Sequence, residues 1–188
     1  MDSAVNKDRS EATMSSFSSW GVPGSLIMKP ELTTPGGNIY SVNGAHLNET
    51  TGVLEAGDNA SYEVMSGTSM AAPHAAGMAA VLGQYVRENE MAKWTDGNAR
   101  HLMNSLLMST ATPMIDPDSE SYYPVLQQGA GLADVYAATQ AKSFITMNED
   151  ATASYADGKV KVELGDQPDR TGVYSYSFNI TNISVFSS

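Results

Sequence analysis

One serine stands where a hydroxyl nucleophile is expected. Ser69 lies within Gly67-Thr68-Ser69-Met70, directly before a long apolar segment that predicts a helix. A helix N-terminus carries a partial positive charge and free N–H groups, which stabilise negative charge developing beside Ser69. The predicted chemistry is attack of Ser69 on a carbonyl, with the Ser69 amide as one oxyanion donor. Taken alone, a serine at this position is more often a helix N-cap.

The entry to this helix carries two further signals. Gly67 permits a tight backbone turn. Pro73 lacks an N–H, so the Ser69 carbonyl has no helical partner and the first turn stays irregular. Both features favour a helix start built for a site rather than for helix stability.

A serine nucleophile needs an imidazole within hydrogen-bond reach, and the sequence has three histidines. His74 follows Ser69 by five residues, which places it about 140° around the helix axis, so we predict a structural role satisfied by hydrogen bonds. His46 lies in a polar segment and His101 in an amphipathic one, and both are predicted at the surface. The residues therefore contain a nucleophile without an identifiable base.

Three segments together resemble the subtilisin-like serine proteases, the subtilases. The nucleophile segment matches that family's Gly-Thr-Ser-Met-Ala-x-Pro-His pattern without a break. Upstream segments resemble its Phe-Ser-Ser-x-Gly and Lys-Pro-Asp-Ile-x-Ala-Pro-Gly patterns, with Glu31 and Thr34 as mild departures, and a downstream one its Gly-x-Gly-Leu-x-Asp pattern. They are Phe17-Ser18-Ser19-Trp20-Gly21, Lys29-Pro30-Glu31-Leu32-Thr33-Thr34-Pro35-Gly36 and Gly129-Ala130-Gly131-Leu132-Ala133-Asp134. The resemblance covers residues 13–143.

The resemblance implies roles for two residues. Ser69 would be the nucleophile and backbone oxyanion donor, and the Thr68 hydroxyl would support the oxyanion. The family's base lies in a His-Gly-Thr segment, its orienting Asp ends an early strand, and its second oxyanion donor is an Asn. All three lie before the position of Phe17, and the 16 residues available cannot contain them; Asn6 does not fit the missing Asn. We therefore expect a missing N-terminal catalytic lobe as a partner.

Hydrophobic periodicity predicts the elements that position Ser69. Residues 70–86 are apolar on every side, which predicts a central, buried helix. Residues 97–110 form an amphipathic pattern that Thr95 or Asp96 can cap, and a short helix is expected at 135–140. Residues 38–42 are β-prone, whereas 45–61 read as a polar surface excursion.

The period changes to two beyond Phe144. Residues 159–164 and 174–180 alternate, which predicts strands with one buried face. The domain organisation is then a polar segment at 1–16, the C-terminal part of a catalytic domain at 17–143, and an incomplete β domain at 144–188. The resemblance implies an α/β fold, a partial three-layer domain with a mainly parallel sheet around the buried helix.

The form of residues 35–41 and the β tail are most similar to the large bacterial cell-envelope subtilases. In those proteins a fibronectin-III-like β-sandwich follows the catalytic domain. This narrower resemblance implies a secreted or wall-associated location and the start of such a sandwich after residue 143.

Composition excludes several classes of partner and chemistry. A net charge of −11 opposes binding of nucleic acid or anionic lipid. No apolar run is long enough to insert into a membrane. The absence of cysteine removes disulfides, thiolate metal sites and a cysteine nucleophile. The turn carboxylates, including Asp58, Asp116, Asp118 and Glu120, do not form a calcium-loop pattern, so neither a metal nor a cofactor is expected.

Two functional hypotheses remain open. The first is a serine endopeptidase that hydrolyses protein or peptide substrates through an acyl-enzyme on Ser69, present as a fragment that is inactive alone. The second is a non-catalytic surface or scaffold protein that retains the lobe for binding. A His-Gly-Thr segment encoded immediately upstream would discriminate in favour of the first.

Overall fold

The computed structural model describes residues 11–22, 24, 27–56, 62–95, 98–147 and 171–184. The helices are α1 (Thr68–Glu88), a 3-10 helix (Met91–Thr95), α2 (Ala99–Thr110), α3 (Val125–Gln128) and α4 (Val135–Gln140). The strands are β1 (Ile39–Val42), β2 (Ala45–Leu47), β3 (Leu54–Ala56), β4 (Tyr62–Met65), β5 (Ile115–Asp116), β6 (Ser121–Tyr122), β7 (Ser143–Met147) and β8 (Phe178–Asn182). No helix in this part of the chain is both long and apolar enough to cross a membrane.

Three helices lie where the sequence pattern predicts them, but one predicted N-cap does not. Helix α2 begins after Asn98, whose side chain accepts a hydrogen bond from the His101 amide at 3.0 Å. Thr95 instead ends the 3-10 helix, and its hydroxyl donates to the Asn98 carbonyl. The predicted cap was therefore wrong, because Thr95 ends the preceding 3-10 helix and Asn98 caps α2. Asp134 caps α4 through the Ala137 amide.

One hydrophobic cluster forms the core. Helices α1 and α2 meet there with α4, the 3-10 helix and strand β7. Its buried members are Leu82, Val86, Met91, Leu102, Leu106, Leu107, Ala138, Phe144 and Ile183. Only the C-terminal half of α1 contributes to this cluster, so the core lies at the end of α1 that is distant in sequence from Ser69.

The prediction of a central, buried helix at 70–86 is correct for only part of α1. Leu82 and Val86 are its buried residues, whereas Val81 is 55% exposed and Met78 half-buried. The helix packs on α2, α4 and the 3-10 helix, whereas Met78 and Val81 line an open cavity between α1 and the β1–β4 pair. An all-round apolar sequence predicts burial on every side, but the described residues bury α1 only in part.

The mainly parallel sheet is not formed among the described residues. The described strands pair as four separate antiparallel two-stranded sheets, β1 with β4, β2 with β3, β5 with β6 and β7 with β8. Parallel pairing is confined to one bridge between Thr33 and Leu132. A parallel sheet draws on strands from distant parts of a chain, which these residues do not include. The polar excursion at 45–61 contains the β2–β3 pair, which its sequence did not indicate.

A backbone ladder joins three segments that are far apart in sequence. The Thr33 amide donates to the Gly131 carbonyl at 2.8 Å, and the Ala133 amide donates to the Thr33 carbonyl at 2.9 Å. On the other edge of the 131–133 segment, Leu132 exchanges two backbone hydrogen bonds with Thr112, which lies just after α2. The ladder therefore ties the segment before β1 to the end of α2.

Two glycines of the 129–134 motif make this ladder possible. Gly129 and Gly131 have φ angles of +64° and +118°, which side-chain-bearing residues rarely adopt. A Cβ on Gly129 would overlap the backbone of Glu31, and one on Gly131 would overlap the backbone of Thr112. The motif that the sequence identified is thus a requirement for close backbone packing.

The β7–β8 pair packs on helix α2. Phe144 is 1% exposed in the core cluster, and the Ser105 hydroxyl donates to the Ile145 carbonyl. The apolar alternation at 174–180 does not mark a buried face, because Phe178 and Ile180 are exposed. That prediction was wrong, since Ile183, outside the alternating run, enters the core instead. The predicted strand at 159–164 and most of the polar segment 1–16 lie outside the described residues.

We predict that Gly131→Ala lowers the free energy of unfolding by about 1–3 kcal/mol, because the new Cβ meets the Thr112 backbone at a strained φ. Urea unfolding followed by tryptophan fluorescence measures the change. Gly44→Ala is the control, because a Cβ there has no atom within 4 Å. Equal unfolding midpoints for the two variants would contradict the structural role of Gly131.

We also predict that the chain associates in solution. Apolar side chains such as Val42, Val64 and Val81 are more than half exposed, and association removes such surface from water. In light scattering over a dilution series, the average molecular mass should decrease as the protein is diluted. Val81→Gln should weaken the association. Gln84→Asn, a change between polar residues on the same helix, should leave it unchanged. A compact monomer at every concentration would refute the prediction.

Candidate active site

Ser69 is the second residue of α1, and its side chain is exposed to solvent. Gly67 precedes the helix and supplies no side-chain cap. Its carbonyl accepts from the Met70 amide at 3.0 Å, and its amide donates to the Gly36 carbonyl at 2.8 Å. The Ser69 N–H belongs to the first helical turn, where amides have no intrahelical acceptor. The hydroxyl and a candidate oxyanion donor are therefore presented together at the helix start.

The glycine that permits close packing at this site is Gly36 rather than Gly67. Gly67 has a φ of 161°, which is extended backbone, and a Cβ there would meet neighbours only at ordinary contact distances. The backbone bends at Gly67, as predicted, but in a conformation that does not require glycine. A Cβ on Gly36 would lie 2.8 Å from the Gly67 carbonyl oxygen and 3.0 Å from the Ala71 Cβ. Any side chain at Gly36 would push the helix start away.

Pro73 lies inside α1, as the sequence predicted. With no N–H to donate, it leaves the Ser69 carbonyl without its helical partner. One residue further, the His74 Nδ1 donates to the Met70 carbonyl at 2.8 Å, which orients the half-buried imidazole along the helix. The structural role predicted for His74 is confirmed by this hydrogen bond. Its Nδ1 is occupied and is not free to take a proton from Ser69.

The other two histidines lie in separate elements. His46 is in β2 opposite Glu55, and the structure does not describe its side chain, so its surface position stays a prediction. His101 is in the first turn of α2 and is half-buried, not at the surface as predicted. A cavity opens beside Ser69, and among the described side chains His74 is the one imidazole that lines it.

A cavity of about 730 Å³ opens beside Ser69. We call it the α1 groove. One wall is α1, through Ser69, Met70, Pro73, His74, Gly77, Met78 and Val81, and the other is the β1–β4 pair, through residues including Ile39, Ser41, Glu63 and Met65. The lining is mostly apolar, and a Cβ on Gly77 would meet nothing within 4 Å. The α1 groove is therefore a wide, apolar space with the nucleophile at one end.

Thr68 borders a different space from Ser69. It lines a cavity of about 370 Å³ between α1 and the segments 12–18 and 33–38. The two predicted site residues are therefore neighbours in the first turn of α1, but they line different cavities.

Thr34 lies near the site and was not a functional candidate from the sequence. The Thr34 hydroxyl donates a 2.7 Å hydrogen bond to the Ala71 carbonyl in the first turns of α1. Its sequence signal was the departure at Thr34 from the alanine of the family pattern. A hydroxyl in place of a methyl group indicates a polar contact, but its acceptor lies 37 residues away and is visible only in the fold.

Comparison with known proteins identifies the family. The model of the Subtilase family, Peptidase_S8, matches residues 3–179. The chain is 33% identical over 157 residues to C5a peptidase of Streptococcus pyogenes, covering 84% of this chain. It is 34% identical over 171 residues to a PII-type proteinase of Lacticaseibacillus paracasei, covering 86% of this chain. It spans only 12% and 8% of the lengths of these relatives.

Among solved structures, fervidolysin from Fervidobacterium pennivorans, a keratinolytic enzyme related to subtilisin, is 24% identical. The match covers 62% of this chain and 20% of that one, with a TM-score of 0.35. The family assignment does not depend on it. It follows from the family model, which spans nearly the whole sequence and includes the Ser69 helix start, and from relatives that are peptidases by name. This chain belongs to the subtilase family.

Proposed function

We propose that the chain supplies the nucleophile of a serine endopeptidase and is inactive without residues from outside it. The observation that carries the proposal is the exposed Ser69 at the start of α1, beside the open α1 groove. The family membership and the peptidase relatives support protein or peptide substrates.

In the proposed reaction the Ser69 Oγ attacks the scissile carbonyl carbon while its proton passes to an imidazole. The C–N bond then breaks, the amine leaves with that proton, and water hydrolyses the ester on Ser69. The Ser69 N–H is one oxyanion donor, and Thr68 supports the oxyanion from the adjacent position. The imidazole, its orienting carboxylate and a second donor must come from a missing N-terminal lobe.

The α1 groove supports the proposed place of that lobe. An imidazole must reach hydrogen-bond distance of Ser69, and the groove gives direct access to it. Its apolar lining, with Val81 exposed and Gly77 open, suits a covering element that buries a hydrophobic face. We propose that the same element covers the exposed side of α1.

The location and the domain boundaries also belong to this proposal. The similarity to bacterial peptidases supports a secreted or cell-wall-associated protein. We propose that residues 17–143 belong to the catalytic domain and that residues 144–188 begin a fibronectin-III-like β domain. The contact of Phe144 with the core would then make the two segments one packed unit at their junction.

We predict that a fluorophosphonate probe does not label the isolated chain. An unassisted serine hydroxyl is a weak nucleophile, and loss of triad members lowers turnover in subtilisin on the order of 10⁴- to 10⁶-fold. Mixing with a separately produced N-terminal lobe of a close relative should restore labelling and peptide cleavage. Ser69→Ala should abolish both, whereas Ser41→Ala, a serine change in the same groove, should not.

Two results would contradict the proposal. Labelling of the isolated chain that Ser69→Ala removes would show that a base lies within these residues, and His74, His46 and His101 would be mutated in turn. Stable binding of the lobe without labelling or cleavage would favour the alternative, a non-catalytic surface or scaffold protein.

A further inference from the structure

The first turns of α1 depend on hydrogen bonds from outside the helix. Gly67 offers no side-chain cap, and Pro73 removes the helical bond to the Ser69 carbonyl. The core contacts of α1 begin only at Leu82, more than three turns further along. Ser69 therefore lies at a helix end that neither a cap nor the core cluster holds in place.

Thr34 provides one of these external bonds. Its hydroxyl donates to the Ala71 carbonyl at 2.7 Å, and both residues are half-buried. Ala71 follows Ser69 by two residues, so a displacement of this turn moves the nucleophile with it. The second external bond is the backbone contact between Gly67 and Gly36, on the opposite side of Pro35 from Thr34.

The segment that carries Thr34 is itself firmly held. Thr33 is bonded to both Gly131 and Ala133, and its hydroxyl donates to the Gln128 carbonyl at 3.0 Å. Gln128 is buried and bonded to Met114 and Tyr123. A hydroxyl on so constrained a backbone loses little further conformational freedom when it bonds to α1.

We propose that Thr34 is a positioning residue that fixes the start of α1 through the Ala71 carbonyl and thereby sets the orientation of Ser69. It touches no reacting atom. The inference rests on the proposed nucleophilic role of Ser69 for its effect on rate, but the geometric claim can be tested without catalysis.

The geometric test is NMR of the full chain with ¹³C- and ¹⁵N-labelled alanine and serine. Thr34→Val removes the hydroxyl at nearly constant shape, and Thr34→Ser retains it. Thr139→Val is the matched control, because that hydroxyl donates to the Tyr136 carbonyl within α4 and not to α1. We expect Thr34→Val to shift the Ala71 carbonyl carbon upfield, to move the Ser69 resonances and to speed amide exchange in the first turns. Thr34→Ser and Thr139→Val should leave these signals near those of the unmodified chain.

The kinetic test uses the chain complemented by the N-terminal lobe. Thr34→Val should slow fluorophosphonate labelling by about 3- to 10-fold at saturating lobe, the effect of one lost hydrogen bond, with lobe affinity unchanged. Thr34→Ser should recover most of the rate. A Thr139→Val variant that matches Thr34→Val in rate would indicate a general structural effect and overturn the proposal.

The two tests separate the possible failures. If complementation never restores labelling, the proposed function fails, and the NMR comparison still decides whether Thr34 fixes Ser69. If Ser69 and Ala71 resonances are the same in Thr34→Val and in the unmodified chain, the positioning role is refuted whatever the activity.

Discussion

The hydrogen bonds that join Thr33, Leu132 and Thr112 determine where the candidate nucleophile lies. They attach the segment before β1 to the end of α2, which belongs to the core. That segment in turn bonds to the start of α1 through Thr34 and Gly36. The segment before β1 therefore connects Ser69 to the core over a shorter path than its own helix does. The core contacts of α1 lie more than three turns away from Ser69.

Helix α1 has two halves with different surroundings. Its C-terminal half buries Leu82 and Val86 against α2, α4 and the 3-10 helix, which anchors the helix in the molecule. Its N-terminal half borders the open α1 groove and presents apolar side chains to solvent. Apolar surface of this extent beside a polar nucleophile is typical of a face that packs against another element. The exposed Val81 and the candidate nucleophile Ser69 thus border the same open groove.

The short glycine-containing patterns of the family have a common physical basis here. Gly36, Gly129 and Gly131 each lie where a Cβ would come within 3 Å of another segment's backbone. Removing the side chain lets backbone groups approach and hydrogen-bond directly, at a cost in chain entropy that the ladder offsets. These glycines therefore allow the close backbone packing that joins the segment before β1 to the start of α1 and to the 129–134 motif.

The sequence by itself identified the candidate nucleophile, the family and three of the helices, because these are encoded in local patterns: the Ser69 segment and helical periodicity. Helix geometry also favoured a structural role for His74 over a role as the base of Ser69. Only the tertiary structure decided which apolar residues are buried, because burial of Val81 or Phe178 depends on what packs against them. Only the fold also shows that the Thr34 hydroxyl bonds to the Ala71 carbonyl, because a contact between residues 37 positions apart leaves no periodic signal in the sequence.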